Sequence, residues 1–220
     1  MTIRAIIFDL GGVVLGSPLH AIADYERELG LPANFVNRVV ADTAPTGAWS
    51  RLERGEISME TFYDEFEADC RAAGQALSAK AMFERMGVAA QPRPIMLEAI
   101  RRIRAQGLLA GALTNNWAND DPDDDAEAQE TRANDGTRAL SELFDVFVES
   151  SVEGLRKPDP RIYTLTCERL GVEPSQAAFL DDIGSNLKAA RALGMTTIKV
   201  DTPEQALDEL SRVIDLELVG

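Results

Sequence analysis

Residues 3–14 read IRAIIFDLGGVV: an apolar run from Ala5 to Phe8, a single carboxylate at Asp9, then the pair Gly11 and Gly12. An apolar run without polar alternation suits a strand covered on both faces. Two glycines directly behind it end the strand in a turn. The carboxylate of Asp9 is thereby presented at the edge of a sheet, and it stands there alone.

Four more strand-like runs follow: LLAGALTN (108–115), FDVFVES (144–150), AAFLDD (177–182) and MTTIKV (195–200). Between and after them lie amphipathic helical patterns at 95–107, 160–171, 185–194 and 203–214, several of which stop at glycine. Apolar strands alternating with helices predict an α/β fold, a parallel sheet wrapped by helices on both faces. From the first strand to residue 91 the pattern is helical only, at roughly 18–29, 33–41, 46–54, 58–73 and 78–86. That stretch reads as an inserted small helical unit over 17–90, leaving 1–16 and 91–220 as the core, with LGSP (15–18) and GVAAQPRP (87–94) as its hinges. The acidic, apolar-poor segment 117–137 reads as a solvated, disordered loop. No aspartate register in it has glycine at the sixth and glutamate at the twelfth position, which excludes an EF-hand.

The chain has 220 residues, 45% of them hydrophobic, enough to fill a core. Its net charge of −15 argues against nucleic acid or an anionic membrane as partner, because both are repelled at long range. No apolar run is long enough to span a bilayer, and the first run reads as a strand rather than a signal peptide. Cys70 and Cys167 lack CxxC spacing and read as reduced thiols, which points to the cytoplasm.

Ligands of doubly wound sheets bind outside the carboxyl ends of the strands. There the first strand delivers Asp9, the second Thr114 and Asn115, and the fourth Asp181 and Asp182; Lys157 follows the third strand in RKPDP. Neighbouring carboxylates raise one another's pKa unless a cation intervenes, and an oxygen-rich site at a strand crest suits Mg²⁺. With Lys157 balancing charge and Thr114 and nearby amides holding phosphoryl oxygens, Asp9 is placed to attack phosphorus in line.

FDLGGVV, LTNN, KPDP and FLDDIGSN resemble the four motifs of the haloacid-dehalogenase-like hydrolases, and residues 157–195 resemble the N-terminal phosphatase domain of soluble epoxide hydrolases. WSRLERGEIS (49–58) also fits the cap of that subgroup. The resemblance implies a Rossmann-like three-layer core under a helical cap, bound Mg²⁺, and a phosphatase acting on a small-molecule phosphate ester through an aspartyl-phosphate. Carried over by position, Asp9 is nucleophile and metal ligand, the Gly11 carbonyl and Asp182 are further metal ligands, and Thr114 and Asn115 bind phosphate. Lys157 braces the nucleophile and phosphoryl group, and Asp181 orients the lysine or the metal's waters.

Typical phosphatases of this superfamily carry a second aspartate two residues past the nucleophile as acid and base; this chain has Gly11. Loss of that group costs ~10²–10⁴ in rate, most for poor leaving groups, so aryl, acyl or anomeric phosphates are the expected substrates. His20, the only histidine, or a carboxylate of the cap is a candidate replacement. Gly11 also keeps open a domain that binds a phosphometabolite or protein partner without turnover, and a 2-haloacid dehalogenase, whose relatives lack the second aspartate and need no metal. Trp49, Phe62, Tyr63 and Phe66 are candidates to line the crevice, although aromatic residues at helical spacing are ordinarily core; Arg51, Arg54 and Arg93 are candidates to approach an anionic substrate.

Overall fold

In the computed structural model, which describes residues 2–117 and 140–218, five strands form one all-parallel sheet. They are β1 (Ala5–Phe8), β2 (Leu109–Thr114), β3 (Val146–Glu149), β4 (Ala177–Asp181) and β5 (Thr196–Lys199), in the order β3-β2-β1-β4-β5. β1 therefore lies in the middle, with Phe8 opposite Ala112 on one side and Leu180 on the other.

The period of two along β1 splits its side chains between two apolar layers. Ile6 and Phe8 pack with Met96, Ile100 and Ile103 of a helix at Pro94–Ala105 and with Leu207 and Leu210 of one at Pro203–Ile214. Ala5 and Ile7 face the opposite layer, built from Ile162, Tyr163 and Leu170 of a helix at Pro160–Leu170 and Leu187 of one at Gly184–Ala192. The molecule is thus the three-layer, Rossmann-like α/β fold that the sequence predicts.

In chain order the α-helices that lie wholly among the described residues are α1 (Pro18–Glu28), α2 (Phe35–Thr43), α3 (Ala48–Glu53), α4 (Met59–Ala72), α5 (Ala79–Ala89), α6 (Pro94–Ala105), α7 (Ser150–Glu153), α8 (Pro160–Leu170), α9 (Gly184–Ala192) and α10 (Pro203–Ile214). Local sequence sets their starts: Ser58 and Ser78 cap α4 and α5 through their hydroxyls, and Thr202 with Gln205 forms a capping box at α10. Helices α1 to α5 bury a cluster of their own. The rings of Phe62 and Phe66 stack at 5.2 Å, with Phe83 4.9 Å from Phe62 and Trp49 5.4 Å from Phe66. Such pairs add ~0.5–1.5 kcal/mol each beyond burial. Phe62 and Phe66 are therefore core residues, not crevice lining; Trp49 is nearly buried among them and Tyr63 is half-buried.

The two connections between this helical unit and the sheet run side by side. Gly16 N donates to Gln91 O at 2.9 Å and Arg93 N to Val14 O at 2.9 Å. Among the described residues no helix is long and apolar enough to cross a membrane. Of the acidic stretch 117–137, only Trp117 belongs to the described residues; the expectations of a disordered loop and of no EF-hand lie outside them.

Candidate active site

The glycine turn decides what happens at the crest of β1. After Asp9 the chain makes one wide turn over Leu10–Val14, closed by Leu15 N donating to Leu10 O at 2.8 Å. Gly12 has φ 84°, a conformation glycine adopts freely. A Cβ on Gly12 would also lie 2.2 Å from Asp182 Oδ2, so the absent side chain is what lets Asp182 close on the β1 turn. Arg93 Nη1 donates to Gly12 O at 2.9 Å and holds the turn from the returning connection.

Asp9, 6% exposed, accepts from Leu10 N at 2.7 Å. Lys157, 1% exposed, places Nζ 2.7 Å from Asp9 Oδ1 and 2.8 Å from Asp181 Oδ2. Asp181 is wholly buried and also accepts from Ile183 N at 2.7 Å and from the Asn186 amide at 3.0 Å and 3.2 Å. Asn186 is held in turn by Tyr163, whose hydroxyl donates to its carbonyl at 3.1 Å. The structure thus brings together four of the residues singled out from sequence: Asp9, Lys157, Asp181 and Asp182.

Oxygens of Asp9, Asp181 and Asp182 lie within 4.8 Å of one another, with one ammonium among three carboxyl groups. Burial pushes the Asp9 carboxyl up to about 7; Lys157 pulls it down, and Asp181 and Asp182 push it further up. Burial and the neighbouring Asp181 push Asp182 up to about 6. For Lys157 burial alone would lower the value, but Asp181 and Asp9 outweigh it and hold the ammonium above its usual range. Carboxyl groups therefore outnumber the single ammonium here, and a further cation is what would favour the ionised forms of Asp9 and Asp182. Asp182 Oδ1 is buried without a hydrogen-bond partner among the described residues, the kind of atom a cation satisfies. An all-oxygen donor set of this kind fits a hard divalent ion such as Mg²⁺.

Thr114 ends β2 beside β1 and is buried; its hydroxyl makes a long contact of 3.4 Å to Asn115 O. The Asn115 side chain is turned to the loop carrying Lys157: its Oδ1 accepts from Lys157 N at 2.9 Å and its Nδ2 donates to Lys157 O at 3.1 Å. Gly11 has φ −65° and ψ 120°, open to any residue. His20 is exposed and lines a cavity of about 320 Å³ that Asp182, Asn34, Asn37 and Asp201 also line, so the cavity joins the helical unit to the β4 crest. Arg51 and Arg54 pair with Glu65 and Glu56 on the surface of the helical unit.

Sequence reading did not single out Glu53, Arg156 or Asn186. Asn186 lies five residues after Asp181 inside FLDDIGSN, a local signal that was available. Glu53 and Arg156 are 103 residues apart, and no local pattern links them.

Residues 3–194 match the haloacid dehalogenase-like hydrolase family. Acyl-CoA dehydrogenase family member 10 of Mus musculus is 37% identical over 221 residues, covering 98% of this chain and 19% of that protein. Bifunctional epoxide hydrolase 2 of Sus scrofa is 34% identical, over all of this chain and 40% of that protein. The chain thus spans less than half the length of both. Phosphatase MT3486 of Mycobacterium tuberculosis is 30% identical, with 100% of this chain and 96% of that one covered. Among solved structures, the Bacteroides thetaiotaomicron enzyme bt-2542 in complex with magnesium and inorganic phosphate superposes with TM-score 0.60 at 21% identity, covering 90% of this chain and 93% of that one. The matched span takes in β1 with its glycine turn, the Lys157 loop and the β4 crest, so the residues that meet around Asp9 lie wholly within it: the chain belongs to the haloacid dehalogenase-like hydrolases.

Proposed function

We propose that the protein is a phosphatase that uses Mg²⁺ and hydrolyses a small-molecule phosphate monoester through Asp9. The observation that carries this reading is the buried Lys157 ammonium between Asp9 and Asp181, beside an Asp182 oxygen that no group among the described residues satisfies. Its support from relatives is a phosphatase matched over almost its full length and a fold neighbour complexed with magnesium and phosphate. Asp9, Asp182 and the Gly11 carbonyl would hold the metal, which supplies positive charge opposite the phosphoryl oxygens.

The chain's own residues then divide the work. Lys157 favours the ionised form of Asp9 and aims it, and Asp181, fixed by Asn186 and Ile183, keeps Lys157 in place. An Asp9 oxygen attacks phosphorus, the bond to the leaving oxygen breaks, and an aspartyl-phosphate forms. Water then cleaves that acyl phosphate, releasing inorganic phosphate and restoring the carboxylate. Thr114 binds phosphoryl oxygens. Asn115 serves the same end by clamping the Lys157 loop.

With Gly11 in place of an acid, no side chain of this turn protonates the leaving oxygen, which favours aryl, acyl and anomeric phosphates. The leaving group would occupy the cavity beside Asp182 under the helical unit, which acts as a cap. A panel of phosphate esters assayed with Mg²⁺ and with EDTA tests the reading, with Asp9→Asn as the blank. Metal-dependent turnover that vanishes in the blank is expected. Chelation-resistant activity on 2-haloacids would replace the reading with a dehalogenase, and a phospho-Asp9 that never hydrolyses would replace it with a binding domain.

A further inference from the structure

Glu53 lies on α3 of the helical unit, yet its carboxylate is 6% exposed and points at the loops that carry the candidate catalytic groups. Arg156 Nε donates to Glu53 Oε2 at 2.5 Å, and Arg156 Nη1 donates to Ser50 Oγ at 3.2 Å. The same Oε2 lies 3.4 Å from Asn115 Nδ2, while Trp49 Nε1 donates to Oε1 at 3.0 Å. Asn115, as described above, grips both the N–H and the carbonyl of Lys157. A continuous path therefore runs from α3 through one carboxylate to Asn115 at the end of β2 and to Arg156, the residue immediately before Lys157.

A surface pair would carry little meaning. This one is different: the acid is nearly sealed, the arginine side chain is 19% exposed, and the partners come from separate layers of the molecule. A buried carboxylate satisfied by three donors fixes the geometry of all three. Trp49 ties it to the aromatic core of the helical unit, so Glu53 cannot follow the Asn115 loop without moving that core.

We propose that Glu53 is a positioning residue: from the helical unit it locks Asn115 and Arg156, and through them sets the backbone that holds Lys157 against Asp9. The Lys157 loop is then fully ordered only when the helical unit is seated on the crest of the sheet, so seating and assembly of the site are one event. The catalytic half of this inference rests on the phosphatase reading; the structural half does not.

Two measurements keep them apart. In hydrogen–deuterium exchange of the full chain, Glu53→Gln and Arg156→Gln should each speed exchange in peptides covering 114–117 and 155–158 while β1 and β4 stay protected. In phosphatase assays with Mg²⁺, each variant should lose ~10–100-fold in kcat, the range typical of removing a group that orients a reacting one, with KM within about threefold. The double variant should lose no more than the worse single, because both changes break one linkage. Unchanged loop exchange, additive losses, or a lowered Tm with unaltered kcat would overturn the proposal. Altered loop exchange in the two variants, with no phosphatase activity in the wild-type protein, would sink the functional reading and leave the linkage standing.

Discussion

Placing an aspartate at Gly11 should extend the proposed phosphatase activity to alkyl esters. The backbone there, φ −65° and ψ 120°, is open to any L residue, and a Cβ would meet only Pro18 Cδ and Cγ at 3.4 Å. That is ordinary contact, so Gly11→Asp should alter stability by about 1 kcal/mol or less. The added carboxyl would stand two residues past Asp9, beside Pro18 at the head of α1, and on the proposed reading would give its proton to the leaving oxygen. Positioned acid–base groups contribute ~10²–10⁴ in rate, equal to about 3–5 kcal/mol of barrier. The gain should appear in kcat/KM for alkyl phosphates and leave aryl phosphates within about threefold, since a phenolate departs without assistance. A bell-shaped pH profile should accompany it. Steady-state kinetics on matched alkyl and aryl esters, with Tm measured in parallel, decide the point. Equal acceleration of both classes, or none for alkyl esters in a folded variant, would refute the idea that a missing proton donor limits this site.

The charge balance of the site predicts three further outcomes. Because Asp9 and Asp182 sit above their ordinary values without metal, the native protein binds more protons than the unfolded chain between about pH 4 and 7, and metal-free stability should fall as pH rises through that window. Saturating Mg²⁺ should therefore raise Tm more at pH 8 than at pH 5, as thermal melts at both pH values will show. Lys157→Met strands buried carboxylates and should cost about 3–5 kcal/mol at neutral pH, with part of the loss recovered toward pH 5 as Asp9 takes up its proton; urea melts at two pH values test this. Burial pushes Cys70 up to about 12 and Cys167 up to about 11, and both are enclosed. A thiol reagent at pH 8 should therefore find neither in the native protein and both after unfolding.

Much of this was legible in the sequence because the informative residues sit where a short-range rule applies. Continuous apolar runs ending in Asp9, Thr114 and Asp181 mark strand ends, and parallel topology then forces those ends onto one crest. The rules fail at short elements and long-range pairs. Residues 144–150 read as one strand, but the chain turns into α7 at Ser150, a helix too short to show any period. What anchors that turn is the buried Ser150 hydroxyl, which accepts from Asn116 N at 2.9 Å. Asn115 reads as a phosphate ligand by position; the contact of its side chain with the Lys157 backbone is a long-range feature that no local rule predicts. The partners of Arg51, Arg54 and Arg93, which are Glu65, Glu56 and the Gly12 carbonyl, are likewise invisible to charge alone.

The contrast between the two adjacent glycines bears on how such a turn diversifies. Position 12 is constrained, since its φ of 84° strains an L residue and a Cβ there would force the Asp182 side chain to shift. Position 11 is free, and changing it leaves the neighbouring acids where they are. Randomising the turn should consequently enrich variants at codon 11 alone, giving a single dial by which proton donation is gained or lost while the rest of the chemistry is inherited intact.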